Sequence, residues 1–226
     1  MKKYTIFVAG ICLLSAEMVN AGWYAGANLG LNAVTINKSL LYPVNSSSPT
    51  TASYKSAYTN FHGQLLGGYD LALTNALGLA LELNADLFTG KAQYVINNWF
   101  LDASATAQEK LKYGFGAFVL PEYRYHNLRF FAGPGISTGK FSINYGNTGG
   151  NIGVSQNASR QLMAWGIKVG VGSYLSATTE ALITYQFNQY ESTSWSAVEP
   201  LSQDTLSGRY KPAVNLFMVG LRTWLN

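Results

Sequence analysis

The chain has 226 residues, of which 12% are charged and 14% aromatic, and a formal net charge of +4. Soluble domains carry about twice that share of charge, and so small and scattered a basic surplus does not point to nucleic acid. A single cysteine, Cys12, excludes an intramolecular disulfide framework.

The N-terminus, "MKKYTIFVAGICLLSAEMVNA", sets Lys2 and Lys3 before an apolar run from Tyr4 to Ala16 and ends in Val19-Asn20-Ala21. This is the layout of a secretory signal peptide with cleavage after Ala21, and the run is shorter than the roughly 20 residues of a spanning helix. Residues 1–21 are therefore expected to leave, and residues 22–226 to form one domain. The mature chain has no cysteine, and without Lys2, Lys3 and Glu17 its net charge is +3. No later stretch is apolar enough for a spanning helix. An exported chain with few charges and many aromatics can still cross a membrane as a closed β-barrel.

Alternation with period 2 recurs eight times. "GWYAGANLGLNAV" sets Trp23, Ala25, Ala27, Leu29 and Leu31 against Tyr24, Gly26, Asn28, Gly30 and Asn32. "NFHGQLLGGYDLAL" sets Phe61, Leu65, Tyr69 and Leu71 against His62, Gln64, Leu66 and Asp70. "LGLALELNADLF" sets Leu77, Leu79, Leu81, Leu83 and Leu87 against Ala80, Glu82, Asn84 and Asp86. In "LKYGFGAFVLPEYRY", Tyr113, Phe115, Val119 and Tyr123 oppose Lys112, Glu122 and Arg124. "LRFFAGPGIS" flips parity, with Leu128, Phe130, Pro134 and Ile136 against Arg129 and Ser137. "MAWGIKVGVGSYL" sets Trp165, Ile167, Val169 and Val171 against Lys168, and "ALITYQFNQ" sets Ile183, Tyr185 and Phe187 against Thr184, Gln186 and Asn188. The eighth strand opposes Phe217, Val219, Leu221 and Leu225 to Gly220, Arg222 and Trp224, although Leu216 and Met218 are apolar as well.

Turn lengths account for the parity. A two-residue loop, His126-Asn127, pairs Tyr125 with Leu128 and exchanges odd for even; three-residue loops preserve parity. Thr74-Asn75-Ala76 is expected to pair Leu73 with Leu77, and Ala177-Thr178-Thr179 to pair Ser176 with Glu180. The other four connections, 34–57, 89–110, 139–160 and 191–211, read as long loops rich in Ser, Thr, Asn and Gly, as in "NSSSPTT". Short and long links alternate, the pattern of outer-membrane barrels with short periplasmic turns and long extracellular loops. The "NSSSPTT" loop should then face outside and the His126 turn the periplasm. The expected fold is an all-β, eight-stranded antiparallel up-and-down transmembrane β-barrel whose last strand closes on its first.

A soluble barrel would turn its apolar face inward. Here the polar face carries Glu82, Asp86, Lys112, Glu122, Arg124, Arg129, Lys168 and Arg222, which suits a small filled lumen and would be costly in lipid. The two-residue turn sets Arg124 opposite Arg129. An acid should stand between these like charges, and Glu122 is the diagonal neighbour. The charged set is expected to form a paired ladder that plugs the barrel. Pro121 and Pro134 lack ladder donors and should bring a bulge or a missing hydrogen bond where Pro121 faces Ala132.

"GWYAGANLGLN", "FHGQLLGGYDLAL", "FFAGPGIS" and "VGLRTWL" resemble the small eight-stranded outer-membrane barrels of the OmpA, OmpX and opacity-protein type. The last resembles the C-terminal signal read by the barrel assembly machinery, with Leu225 and Asn226 in place of a terminal aromatic. The resemblance implies a monomer among outer-membrane lipids and lipopolysaccharide, with no segment for a peptidoglycan-binding domain. His126 reads as a solvated turn residue. His62 faces the lumen where lipid-modifying barrels keep catalytic groups, but "FHG" supplies no nucleophile motif. No metal spacing and no cofactor motif is present, so catalytic, metal and cofactor residues are expected to be none. The function expected is a structural or surface-contact role in adhesion or envelope integrity, with host or surface ligands held by the loops. A narrow conduit for small or apolar molecules is the alternative, and a lipid-A-modifying enzyme the third reading.

Overall fold

The computed structural model describes residues 21–42, 50–100, 103–147, 156–198 and 205–225. Residues 1–20, all but the last of the expected leader, and most of "NSSSPTT" lie outside them. Ten strands follow: β1 (Ala21–Tyr42), β2 (Thr50–Ala72), β3 (Leu77–Phe88), β4 (Ala92–Phe100), β5 (Ala103–Tyr125), β6 (Leu128–Asn147), β7 (Gln156–Tyr174), β8 (Thr179–Tyr190), β9 (Thr193–Val198) and β10 (Thr205–Leu225).

They make eight antiparallel staves, because β3 with β4, and β8 with β9, are staves interrupted once. Each stave pairs with its sequence neighbours, and β1 pairs with β10 from Trp23↔Leu225 to Leu41↔Ser207, which closes the ring. The outward residues of the lower half form a continuous apolar surface that includes Leu29, Phe61, Leu65, Leu83, Ile183 and Val219. Leu29 is 70% and Phe61 73% exposed. In a chain whose alternating face is polar, such a surface is a lipid belt.

The turns obey the parity argument with one shift. Tyr125 pairs with Leu128, and His126 takes φ 53°, a left-handed conformation that histidine enters more readily than most side chains. At Thr74-Asn75-Ala76, the Leu73 and Thr74 amides donate to the Leu77 carbonyl, and the Thr74 hydroxyl accepts from the Ala76 and Leu77 amides. The β7–β8 turn repeats this pattern one residue earlier than expected. It is Ser176-Ala177-Thr178 with Leu175 opposite Thr179, and the Ser176 hydroxyl accepts from the Thr178 and Thr179 amides. The Ser176 hydroxyl fixes the register by capping the turn from its first position, as Thr74 does.

The proline expectation is met by a lapse in the ladder rather than a bulge. Between β5 and β6 the pairs run to Phe118↔Gly135 and resume at Glu122↔Phe131 in the same register, skipping Pro121 and Pro134. A side chain on Gly133 would collide with the Val119 carbonyl, so glycine is what lets the strands close up there. The bulge lies higher: between Leu111↔Phe141 and Gly114↔Gly139, Lys112 and Tyr113 together oppose Lys140.

The four segments expected to be loops are largely strand. β1 continues eleven residues past Leu31, the last large apolar side chain of its lipid-facing set, and remains paired on both sides. Above the belt the ring divides. Among the described residues, no ladder joins β2 to β4 or β7 to β9, since β4 pairs with β5 and β9 with β10. The projecting part is therefore two four-stranded sheets, β2-β1-β10-β9 and β4-β5-β6-β7. Between them lies an apolar core that includes Val34, Ile36, Leu40, Leu111, Phe141, Ile143, Leu162, Tyr210 and Val214. A barrel in the membrane thus opens into a β-sandwich above it.

Candidate functional site

The interior is stratified. At the end that carries the tight turns, three carboxylates and three guanidiniums meet. Arg129 on β6 donates through Nε and Nη2 to the two oxygens of Glu180 on β8, both at 2.8 Å, and through Nη1 to Glu122 on β5. Arg124 reaches Asp70 at 2.6 Å and Glu122 at 3.4 Å. Arg222 on β10 stands 2.7 Å from Glu180, 3.8 Å from Asp70 and 4.0 Å from Glu122. Its Nε faces Glu180 without hydrogen-bond alignment, so that contact is electrostatic. The ladder pairs Arg124 with Arg129 and Arg222 with Glu180, and Gly172 leaves room for the Glu180 carboxylate. The Arg222 guanidinium lies between the Tyr24 ring at 4.3 Å and the Trp224 ring at 4.4 Å, and Tyr174 stacks on Trp224. Charge balance, bidentate geometry and ring faces together offset the removal of these ions from water.

Next come Phe118, Leu120, Phe131, Leu182, Leu66 and Ala80, a small apolar layer. A second polar layer follows. Lys168 donates to Glu82 at 2.6 Å and to the Gln64 carbonyl at 3.0 Å, and the Tyr24 hydroxyl reaches the other Glu82 oxygen at 3.2 Å. Asp86 gathers His62 at 3.1 Å, Gln64 at 2.8 Å and Asn84 at 2.7 Å. His62 is 2% exposed and packs against Phe88. Among the described residues, its Nδ1 has no hydrogen-bond partner and no hydroxyl is bonded to either ring nitrogen. A nucleophile–base pair needs that contact.

Among the described residues, the apolar core above the belt holds one ion pair, Lys38 with Glu109, at 3.0 and 3.2 Å. Glu109 also accepts from the Ser56 hydroxyl at 2.8 Å and the Tyr94 hydroxyl at 2.6 Å. Burial presses the Lys38 ammonium below the ordinary lysine range, and Glu109 opposes that shift. Burial also pushes the Tyr58 hydroxyl up to about 12; it accepts from the Leu111 amide at 3.1 Å.

Seven of the eight charged residues assigned to the lumen, Glu82, Asp86, Glu122, Arg124, Arg129, Lys168 and Arg222, lie inside. Lys112 does not. Leu111 and Gly114 both point inward, so the bulge turns Lys112 outward beside Tyr113, and simple alternation fails at that residue. Above the belt, where the sequence was read as long loops, the strands enclose a largely apolar interior. Asp70 and Glu180 complete the lower cluster and were not singled out from sequence. Both lie on the inward parity of their strands, which was the available signal. Lys38 and Glu109 sat in segments read as loops, where parity was not followed.

No family model matches the chain, and no curated relative does. Among solved structures, the outer-membrane protease OmpT of Escherichia coli is similar over 94% of this chain and 99% of its own, at 8% identity and a TM-score of 0.55. The outer-membrane protein OprG of Pseudomonas aeruginosa is similar over 89% and 95%, at 12% identity and a TM-score of 0.52. Neisserial surface protein A covers 91% and 99%, at 12% identity and a TM-score of 0.43. At such identities the likeness concerns the fold. The likeness to OmpT and OprG, with the closed ring of eight staves and its lipid belt, gives the chain the fold of an integral outer-membrane β-barrel.

Proposed function

We propose that this protein is a non-conducting, non-enzymatic surface barrel whose projecting sandwich is its working part, acting in contact or adhesion at the cell surface or in envelope integrity. One observation carries the reading. The staves do not end at the membrane but continue into two packed sheets, and the core of that sandwich sits over the barrel mouth. Below it, two polar layers and an apolar layer occupy the lumen, so the barrel reads as plugged. A conduit for polar solutes needs a continuous polar path and one for apolar molecules a continuous apolar path, and alternating ionic and apolar layers oppose both.

The same reading takes residues 1–21 as a cleaved leader, places the sandwich outside the cell, and hands the C-terminal strand to the assembly machinery. Outer-membrane lipids and lipopolysaccharide surround the belt, and any surface or host ligand meets the sandwich and its connecting loops. Planar-bilayer recording of the purified protein is the direct test. A quiet bilayer is expected, with brief low-conductance events at most. Large, steady conductance would overturn the plug and promote the conduit reading.

A further inference from the structure

The charges of this chain are sorted by sign. Among the described residues, six acids, Asp70, Glu82, Asp86, Glu109, Glu122 and Glu180, are buried inside. Glu191 is the exposed one, and its carboxylate accepts from the Met163 amide. Of the bases, Lys38, Arg124, Arg129, Lys168 and Arg222 serve those interior acids. The remaining eight, Lys55, Lys91, Lys110, Lys112, Lys140, Arg160, Arg209 and Lys211, lie off the interior network, and all of them stand above the lipid belt. None of the eight forms an ion pair with a described acid. Below the belt, no described charged residue points outward. An excess this one-sided, on one rim of the membrane, is a field for anions at that rim.

The excess is densest on the outward face of β10, β1 and β2. There Lys55 and Lys211 flank Asn37 on either side, and Arg209 pairs across from Ser39. These residues, with Ser53 and Ser192, line a shallow groove of about 680 Å³. Arg209 is held in place by the Ser192 hydroxyl, which accepts from Nε at 3.1 Å and from Nη2 at 2.9 Å. Among the described residues its Nη1 has no hydrogen-bond partner, and it lies beside two exposed ammonium groups and several hydroxyls. Fixed guanidinium, mobile ammoniums and hydroxyls are the donors that phosphate on a sugar requires. Lys55 lies six residues beyond Phe61 and Lys211 six beyond Phe217, roughly 15 Å up a tilted strand from the apolar belt. That is the height of a saccharide headgroup rather than of acyl chains.

We propose that the groove formed by Lys55, Arg209 and Lys211 binds the phosphorylated saccharide headgroup of a glycolipid in the outer leaflet around the barrel. The site rests on the outer-membrane orientation and not on the lumen being closed, so a conducting barrel would leave it standing.

The test titrates folded protein in detergent with phosphorylated lipopolysaccharide and with the same preparation after enzymatic dephosphorylation, following bound lipid by native mass spectrometry. The unmodified protein should bind the phosphorylated form at least tenfold more tightly, and added salt should weaken it. The triple variant Lys55→Gln/Arg209→Gln/Lys211→Gln should lose that preference, while Lys110→Gln/Lys140→Gln on the opposite side keeps it within about twofold. Equal binding of the two lipid forms by the unmodified protein overturns the proposal, as does unchanged affinity in the triple variant. Displacement by inorganic pyrophosphate at equal concentration would assign the groove to a soluble anion and overturn the leaflet source. If the triple variant does not fold, Lys211→Gln and the dephosphorylation arm on the unmodified protein still decide the matter.

Discussion

The two halves of this molecule solve opposite problems with the same strands. In the lower half the surroundings are lipid, so β1 turns Leu29 and Leu31 outward and Asn28 and Asn32 inward. In the upper half the surroundings are water, and the same strand turns Asn37 and Ser39 outward and Val34, Ile36 and Leu40 inward. β10 inverts in the same way, from outward Phe217, Val219 and Leu221 to inward Val214 and Tyr210. The strand does not twist over; the identity of its apolar face changes where the solvent changes. Two ionic layers and one thin apolar layer fill the interior where lipid surrounds it, and hydrocarbon around the Lys38–Glu109 pair fills it where water does, because the outer face must match its medium.

The largest effect should come from breaking the lower half. Arg129→Leu removes a side chain that serves Glu122 and Glu180 together and leaves two buried carboxylates short of counter-charge. A loss of about 3–5 kcal/mol is expected, read from urea unfolding in lipid vesicles. A loss under about 1 kcal/mol would mean that Arg124 and Arg222 rearrange to carry the cluster.

In the upper half the corresponding change is a cavity. Phe141 is buried in the sandwich core, and Phe141→Ala should cost about 3–4 kcal/mol. The two variants should differ in reach as well as in size. Phe141→Ala should open the sandwich to protease while the membrane-embedded staves stay protected, whereas Arg129→Leu should loosen the barrel itself. Loss of protection throughout the chain in Phe141→Ala would show that the halves fold as one unit.

The outer faces give a smaller contrast on one strand. Leu65 and Thr59 both point outward from β2, six residues apart, one in lipid and one in water. Leu65→Arg should destabilise by about 2–4 kcal/mol if near the bilayer midplane, and Thr59→Arg by no more than about 0.5 kcal/mol. Equal effects would misplace the upper edge of the belt.

The inversion also explains what was legible in the sequence. The lower staves alternate with a constant sense, so strand number, closure, two of the three tight turns and seven lumen charges could be read directly. Past Val34 the apolar set moves to the other parity, and a search for one constant sense reports irregularity. Leu216 and Met218 mark the same crossover in β10, which is why both faces of that strand looked apolar. Lys112 was misplaced because a bulge shifts parity without any local composition signal. The Ser176 turn slipped by one residue because Thr178, Thr179 and Ser176 all offer a hydroxyl, and only the first position caps. The sandwich was beyond reach for a further reason: among the described residues no ladder crosses its two seams, and unpaired edges leave no periodic trace.

The smallest expected effect concerns pH and reports on the upper half alone. The Tyr58 hydroxyl, in the sandwich core, is raised from 10.0 to about 12, chiefly by burial. Between those values the unfolded chain has released this proton and the folded chain still holds it, so stability falls as pH rises through that window. Below pH 10 the group contributes no pH dependence, and only its bond with the Leu111 amide counts. Tyr58→Phe removes both effects. At pH 9 the variant should therefore be less stable than the parent by about 0.5–1.5 kcal/mol, the worth of one hydrogen bond. At pH 11 the gap should narrow, because the parent alone carries the Tyr58 penalty while the other tyrosines cancel in the difference. The measurement is the urea midpoint of both proteins at the two pH values. A gap that stays constant would mean that water reaches Tyr58 through the open β2–β4 seam, and that the sandwich core is wetter than its packing implies.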